Sequence, residues 1–128
     1  MSVTYSATLY DGKTLKEAAK VYLNALPSEV TGLLSQGTSG AAIASGMLAL
    51  SRRRLIHCAV RRDGENGHQD SYAGMFDRSA IYAIVDDFVD SGKTVRNLVT
   101  WADARNFKIA IILVGHTSGK ILVFLPQD

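Results

Sequence analysis

The chain has 128 residues, of which 47% are hydrophobic and 20% charged, with a formal net charge of +2 at pH 7. This length predicts one domain with a real hydrophobic core, and the near balance of charge argues against a dedicated nucleic-acid binder. The first residues lack the charged-then-apolar layout of a secretory signal, and the apolar runs are too short to span a membrane. Cys58 is the only cysteine, so no internal disulfide can form. We therefore expect a cytoplasmic protein in which this thiol is buried and structural.

The first predicted element is a helix over residues 14–26. Apolar side chains recur there at helical spacing, Thr14 is the expected N-cap, and Glu17 completes a capping box. Pro27 marks the end of this helix. The remaining predicted elements follow in chain order: strand 30–34, loop 35–40, helix 41–53, strand 55–61, loop 62–78, strand 80–85, helix 94–105, strand 108–114 and strand 121–125.

These strands are apolar on both faces and alternate with helices. That pattern predicts a mainly parallel sheet with helices on each side, in a single α/β domain over residues 1–128. The loop over residues 62–78 holds three glycines and shows no clear period, so we expect an exposed, flexible segment. A loop of this length in a compact chain is more often functional than accidental.

The stretch "IVDDFVDSGKTV", residues 84–95, places two adjacent carboxylates, Asp86 and Asp87, at the end of an apolar strand. Adjacent acids repel each other unless a cation or hydroxyl groups offset the cost, although helix capping or solvation is the alternative. The loop that follows opens a helix, whose free backbone N–H groups favour a phosphate, while a plain turn and cap is the alternative. A nucleotide-binding P-loop is excluded, because Asp87 stands where that motif requires glycine.

The longer stretch "AIVDDFVDSGKTV" resembles the signature of type I phosphoribosyltransferases: four hydrophobic residues, two acids, then a short loop rich in Gly, Ser and Thr. The order of strands, loops and helices agrees with that family over roughly residues 28–125. The resemblance implies the family's fold and an enzyme that moves phosphoribose from 5-phosphoribosyl-1-pyrophosphate (PRPP) to a nucleobase, as in nucleotide salvage. The family also includes non-catalytic regulators that sense PRPP or nucleotides, and a structural protein that retains the fold is a third reading.

The resemblance also implies roles for particular residues. The 5′-phosphate of PRPP would be held by the loop residues Ser91, Gly92, Lys93 and Thr94. The family's acids, here Asp86 and Asp87, would accept hydrogen bonds from the ribose hydroxyls and reach Mg²⁺, in part through water. The family's pyrophosphate loop corresponds by position to Ser35, Gln36, Gly37 and Thr38. The family's catalytic flexible loop corresponds to the segment that begins at Arg61 and Arg62, for which a solvated strand end is the alternative.

Asp90 indicates which members of the family this sequence resembles most, and therefore which base is expected as acceptor. Hypoxanthine–guanine and xanthine–guanine phosphoribosyltransferases have an acid there, close to purine N7, which suits general acid/base work and favours a purine as acceptor. The three histidines show no metal-ligand spacing, and only His116, just past a strand end, is expected near the site. A hood over the base would have to come from residues 1–27 or from another subunit, which favours a homo-oligomer such as a homodimer.

Overall fold

The structure is a computed structural model, and it describes residues 11–62, 72–87, 92–115 and 120–126. Within these ranges the chain forms three helices and six strands, and none of the helices is long and apolar enough to cross a bilayer. The helices are α1 (Gly12–Ala25), α2 (Thr38–Leu50) and α3 (Lys93–Ala104). The strands are β1 (Gly32–Gln36), β2 (Ile56–Val60), β3 (Tyr72–Gly74), β4 (Ile81–Asp86), β5 (Lys108–Gly115) and β6 (Ile121–Phe124).

The six described strands form one sheet in the order β3-β2-β1-β4-β5-β6. The central strands β2, β1, β4 and β5 are parallel, while β3 and β6 run antiparallel at the two edges. The predicted α/β fold with a mainly parallel sheet is therefore confirmed. Because the strand order reverses between β1 and β4, the carboxyl ends of these two strands flank the switch point, where open α/β sheets bind ligands.

Helices cover both faces of this sheet. Leu33 and Leu34, neighbours in β1, are both fully buried but belong to different core clusters, one on each face. The first cluster includes Tyr22 of α1 and Ile43 of α2, whereas the second includes Leu98 of α3. Burial on both faces explains why the strands read as continuous apolar runs.

The start of α1 differs from the sequence prediction. The helix begins at Gly12, and the carboxylate of Asp11 accepts hydrogen bonds from the backbone N–H groups of Lys13 (2.9 Å) and Thr14 (3.4 Å). The prediction of Thr14 as N-cap is therefore wrong, because the acid three residues earlier already satisfies the first-turn donors. Since α1 packs in the core and residues 1–10 lie outside the described part, the hood within residues 1–27 stays a prediction.

The connection between β1 and α2 is much shorter than the predicted loop of residues 35–40. Ser35 and Gln36 are the last residues of β1, and α2 begins at Thr38. The loop prediction is wrong because these polar residues are held inside the sheet: Ser35 is fully buried and Gln36 is 7% exposed. Gly37 alone makes the turn, with a φ of 88° that favours glycine.

The predicted loop of residues 62–78 contains a strand. Tyr72, Ala73 and Gly74 form β3 and pair with β2. The centroid of the Tyr72 ring lies 5.2 Å from that of Phe76 and 6.3 Å from that of Trp101, both in edge-to-face contact. This packing stabilises the strand, which is too short to show a period in the sequence. Residues 63–71 lie outside the described part, so the flexibility of that portion stays a prediction.

Candidate site at the carboxyl edge of the sheet

An open cleft of about 740 Å³ runs from the carboxyl ends of β1 and β2 along α3 as far as Arg105, and its lining does not include Asp86 or Asp87. It brings together residues that are far apart in the sequence, from the ends of β1 and β2 and from the first turn of α3. Five of the predicted site residues line it: Gln36, Arg61, Arg62, Lys93 and Thr94. The sequence analysis missed five further lining residues from α3 and its C-cap: Asn97, Thr100, Trp101, Ala104 and Arg105. Their spacing along the helix was the available signal, but polar residues at such spacing usually mark only a solvated face.

The paired acids end β4 at the same edge. Asp86 is only 6% exposed, and one of its carboxylate oxygens (Oδ1) accepts a hydrogen bond from the backbone N–H of Asp87 at 2.9 Å. Burial, followed by a hydrogen bond and charge repulsion from the Asp87 carboxyl, raises the pKa of Asp86 to about 7, despite an opposing effect of Arg62. A cation or donor hydroxyl groups beside a buried carboxyl stabilise its charged form and so oppose this rise in pKa.

Arg62 lies between the β1–α2 turn and these acids. Its Nη2 atom is 2.5 Å from the place that a Cβ on Gly37 would occupy, so the guanidinium group packs directly on the turn. The positive charge of Arg62 also acts on Asp86, where it lowers the pKa. The structure therefore brings three predicted parts of the site together: the turn at Gly37, the arginine that follows β2, and the acid that ends β4.

Among the described residues, no side chain caps the start of the two helices that begin at this edge. Gly37 is the N-cap residue of α2 and Gly92 is that of α3, and glycine has no side chain with which to accept the first-turn N–H groups. The contrast is α1, where the Asp11 carboxylate takes that role. The first-turn N–H groups of a helix and the positive end of its dipole favour an anion at both positions.

A buried hydrogen bond from α1 fixes the backbone of the acid pair. The hydroxyl group of Tyr22 donates to the backbone carbonyl of Asp86 at 2.6 Å, across 64 residues of sequence. Gly115, the last residue of β5, lies directly beneath the Asp87 carbonyl, and a Cβ there would collide with that oxygen. A Cβ on Gly115 would also stand 3.0 Å from the Tyr22 hydroxyl oxygen. Sequence reasoning took Tyr22 only as an apolar helix residue and gave no sign of this contact.

The side chain of Ser35 is buried in the sheet, and the predicted role of this residue in binding pyrophosphate stays a prediction. Its hydroxyl oxygen lies 2.7 Å from Nε2 of His57, and burial lowers the pKa of this histidine, which favours the neutral ring. Ser35 is fully buried, so it supports the sheet beneath the turn and its hydroxyl does not reach the cleft. Gln36 is better placed, since it lines the cleft and its Nε2 donates to the Arg61 carbonyl at 3.3 Å.

Several predicted site residues lie outside the described part of the chain, namely Asp90, Ser91 and His116. Among the residues that the structure does describe, no group of three or more His, Cys, Asp or Glu side chains could hold a metal ion. The described acids at this edge are Asp86 and Asp87. The buried thiol of Cys58, whose pKa burial raises to about 12, agrees with the structural role expected for it.

No protein-family model matches this chain, and no curated protein matches its sequence. Comparison with solved structures does find similar folds. The orotate phosphoribosyltransferase of Mycobacterium tuberculosis H37Rv in complex with PRPP matches with a TM-score of 0.76 and 9% identity, over 89% of this chain and 66% of that one. The orotate phosphoribosyltransferase of Francisella tularensis matches with a TM-score of 0.69 and 16% identity, over 86% of this chain and 55% of that one.

An adenine phosphoribosyltransferase from Thermoanaerobacter pseudethanolicus also matches, with a TM-score of 0.63 and 12% identity, over 84% of this chain and 70% of that one. The described chain therefore has the fold of type I phosphoribosyltransferases, as its sequence signature predicts. It spans between about half and two thirds of the two orotate enzymes. The three structures described here are orotate and adenine enzymes, so the nearer resemblance to the hypoxanthine–guanine and xanthine–guanine enzymes stays a prediction.

Proposed function

We propose that this protein is a phosphoribosyltransferase that moves phosphoribose from PRPP to a nucleobase. The observation that carries the proposal is the acid pair, Asp86 and Asp87, which ends a central strand beside Arg62. Two helix N-termini, for which glycine is the N-cap residue, open at the same edge. A ligand with two anionic ends and a hydroxyl-bearing centre matches this arrangement of anion sites around carboxylates. PRPP has that form, with a 5′-phosphate, ribose hydroxyls and a pyrophosphate.

In the proposed reaction a ring nitrogen of the base forms a bond to C1 of the ribose. The bond between C1 and the pyrophosphate oxygen breaks, its electron pair leaves with the pyrophosphate, and the base nitrogen gives up its proton. The transition state resembles an oxocarbenium ion, so no protein nucleophile is needed. The residues of this chain contribute by position and charge. Backbone N–H groups at the start of α3, with Lys93 and Thr94, hold the 5′-phosphate, and those at the start of α2 face the pyrophosphate.

The acid pair also fits Mg²⁺. Protein sites commonly hold this ion through one or two carboxylates, retained waters and substrate phosphates, so two described acids are enough. Asp86 and Asp87 would hold the ion, in part through water, and the metal would neutralise charge on the departing pyrophosphate. Arg61 and Arg62, which line the cleft, would assist this charge neutralisation as the leaving group departs.

The experiment that tests the proposal is pyrophosphate release from PRPP and Mg²⁺ with a panel of bases that includes orotate, adenine, hypoxanthine, guanine and xanthine. We expect release with one base or one class of bases. The matched blank is the protein with Asp86→Asn and Asp87→Asn. PRPP binding without release for any base would favour the non-catalytic regulator, and the absence of both binding and release would contradict the proposal.

We further propose that the accepted base is a purine, on the strength of Asp90 in the signature loop. If the Asp90 carboxylate moves a proton at the base, Asp90→Asn is expected to lower kcat about 10²- to 10⁴-fold, the usual scale for general acid/base catalysis. The affinity for PRPP should change little, because Asn keeps the size of the side chain. Separate measurements of kcat and of PRPP affinity provide the test. A weaker affinity with unchanged kcat would instead make Asp90 a loop-stabilising residue and remove the argument for a purine.

A homo-oligomer and a cytoplasmic location complete the proposal. The oligomer is suggested by the need to cover the base, because a second copy of the chain could supply the hood. The location is suggested by the single, unpaired Cys58, which has no second cysteine with which to form an internal disulfide.

A further inference from the structure

A second cleft, of about 810 Å³, lies at the amino edge of the sheet, at the opposite end of the strands from the acid pair. Thr31, Ile56 and Ala80 line it, and they stand at or just before the starts of the parallel strands β1, β2 and β4. Met75 follows the antiparallel strand β3 and so lines the same edge. Strand β4 runs for six residues from this edge to Asp86, a distance of roughly 16 Å. This amino-edge cleft is therefore separate from the candidate site.

An exposed aromatic ring forms one wall of the amino-edge cleft. The Phe76 ring stacks on that of Phe107, with centroids 5.3 Å apart and 21° between the planes. Phe107 also stacks on Tyr82, at 5.1 Å and 7°. Tyr82 is fully buried, whereas Phe76 lines the cleft and is 39% exposed. The exposed surface of Phe76 thus offers a planar aromatic group a ring on which to stack.

Two guanidinium groups line the same cleft, those of Arg54 and Arg78. Both residues are exposed, and neither donates a hydrogen bond to another residue in the described part of the chain. The neighbouring Arg53 is held instead by the backbone carbonyls of Pro27 (2.8 Å) and Ser28 (2.6 Å), which anchors the chain just before Arg54. Guanidinium groups whose donors are not used within the protein are well suited to bind a phosphate.

Hydrogen bonds hold the segment between β3 and β4 in place beside these arginines. The Tyr82 hydroxyl donates to the backbone carbonyl of Asp77 at 3.0 Å and accepts from the N–H of Asp77 at 2.9 Å. Oδ1 of Asp77 accepts from the hydroxyl (2.7 Å) and the N–H (2.9 Å) of Ser79. These bonds from Ser79, together with the charge of Arg54, lower the pKa of Asp77, so its carboxylate is ionised at neutral pH.

We propose that the amino-edge cleft binds a nucleoside monophosphate. The base stacks on the exposed ring of Phe76, and the phosphate accepts hydrogen bonds from Arg54 and Arg78. The Asp77 carboxylate accepts a hydrogen bond from a hydroxyl or N–H group of the same ligand. The cleft volume of about 810 Å³ lies within the usual range for small-ligand sites, about 300–1,000 Å³.

The charge of the cleft favours a mononucleotide over a nucleic-acid strand. A strand is held by a row of cations along its phosphates, whereas two arginines and one acid leave the described lining with a single net positive charge. One phosphate and one base match two guanidinium groups and one exposed ring. The inference goes beyond the proposed function and does not depend on it, because none of the described residues that line this cleft belongs to the candidate site.

Calorimetric titration with AMP, GMP, UMP and CMP tests the proposal. A nucleoside monophosphate is also the product of the proposed reaction, so the titration is made on the unmodified protein and on the Asp86→Asn, Asp87→Asn variant. We expect at least one of these nucleotides to bind the variant. Inorganic phosphate should bind the amino-edge cleft at least about tenfold more weakly, because it lacks a base to stack on the ring.

Substitutions in the cleft identify the contacts. Arg54→Gln with Arg78→Gln should lower the nucleotide affinity about tenfold or more, because the phosphate loses its charged donors. Phe76→Leu keeps an apolar side chain against Phe107 but removes the ring, and a loss of similar size is expected. Arg52→Gln is the matched control, since Arg52 is exposed in the same segment as Arg54 and is not among the described lining residues. Unfolding temperatures show that each variant is folded.

Hydrogen exchange locates the bound nucleotide. We expect protection of residues 75–80, where backbone N–H groups can be followed, both in the unmodified protein and in the acid-pair variant. Protection confined to the start of α3 would place the nucleotide at the candidate site and overturn the proposal. So would an absence of nucleotide binding, an equal affinity for inorganic phosphate, or an affinity that the arginine and Phe76 substitutions leave unchanged. Much tighter, steeply salt-dependent binding of a single-stranded oligonucleotide would overturn it in favour of a nucleic-acid surface. Pyrophosphate release is measured separately, so either proposal can fail without the other.

Discussion

Replacement of both acids, Asp86→Asn with Asp87→Asn, is expected to abolish PRPP binding, with a loss of affinity of at least about 100-fold. The substitution removes the two carboxylates that would accept the ribose hydroxyls and hold Mg²⁺, and an amide binds this cation poorly. The fold should be preserved or even stabilised, because Asp86 is buried and repelled by its neighbour. Calorimetric titration with PRPP and Mg²⁺ measures the binding, and a double variant that binds normally would show that the acids are structural.

The pH dependence of folding stability shows whether the double substitution acts by removing the buried charge of Asp86 or by disturbing the fold. The pKa of Asp86 in the folded state is about 7, above its usual value of 3.8, so the folded protein holds this proton more tightly than the unfolded chain. The stability that this group contributes is therefore present at low pH and is lost as pH rises from about 4 to 7. The double variant lacks this loss, so its advantage in thermal unfolding temperature should be larger at pH 8 than at pH 4. Asp103→Asn, at an exposed position on α3, is the matched control for the removal of a carboxyl group.

The ionisation of Asp86 also affects the binding of the ligand. Mg²⁺ needs the ionised carboxylate, so the affinity of the unmodified protein for PRPP with Mg²⁺ should fall as pH drops below about 7. This fall is opposite in direction to the gain of stability at low pH. A site that improves binding at the cost of fold stability is common where charged groups are buried for function.

The sequence predicted the elements of this fold well because their signals are local. Apolar runs with turn residues between them identified the four parallel strands and the three helices. The acid pair was placed at a strand end because Asp86 follows directly on a buried run, and β4 indeed ends at Asp86. The turn between β1 and α2 was harder to predict. Ser35 and Gln36 were assigned to a loop on their polarity. In the structure His57 of β2 and the carbonyl of Arg61, just after β2, satisfy them inside the sheet.

Contacts between distant segments could not be predicted. The hydrogen bond from Tyr22 to the carbonyl of Asp86 joins residues 64 positions apart, and no local sequence pattern indicates that they are in contact. The strand β3 depends in the same way on the rings of Phe76 and Trp101. No pattern in the sequence indicated that Gly115 lies against the acid pair. The structure shows that the Asp87 carbonyl occupies the space where its side chain would lie.

Gly115→Ala should therefore weaken PRPP binding from outside the cleft, by about tenfold or more. Its Cβ would collide with the backbone oxygen of Asp87 and would crowd the Tyr22 hydroxyl, and a backbone atom cannot rotate away as a flexible side chain can. The peptide that joins the two acids would have to shift, which moves both carboxylates together. Overpacking of this kind typically costs about 1–3 kcal/mol of folding stability. Gly12→Ala is the matched control, because a Cβ at that position of α1 meets nothing within 4 Å.

A second variant separates displacement of the acids from loss of stability. Tyr22→Phe keeps the ring in the core but removes the donor to the Asp86 carbonyl, at a typical cost of about 1–3 kcal/mol for the unsatisfied group. If the hydroxyl positions the acid pair, both Gly115→Ala and Tyr22→Phe should lower the affinity for PRPP with Mg²⁺ at a temperature where each variant is fully folded. An anion that binds only at the helix N-termini, such as inorganic phosphate, should bind as before. If affinity for PRPP is unchanged in the two variants while their unfolding temperatures fall, the contact serves the core alone.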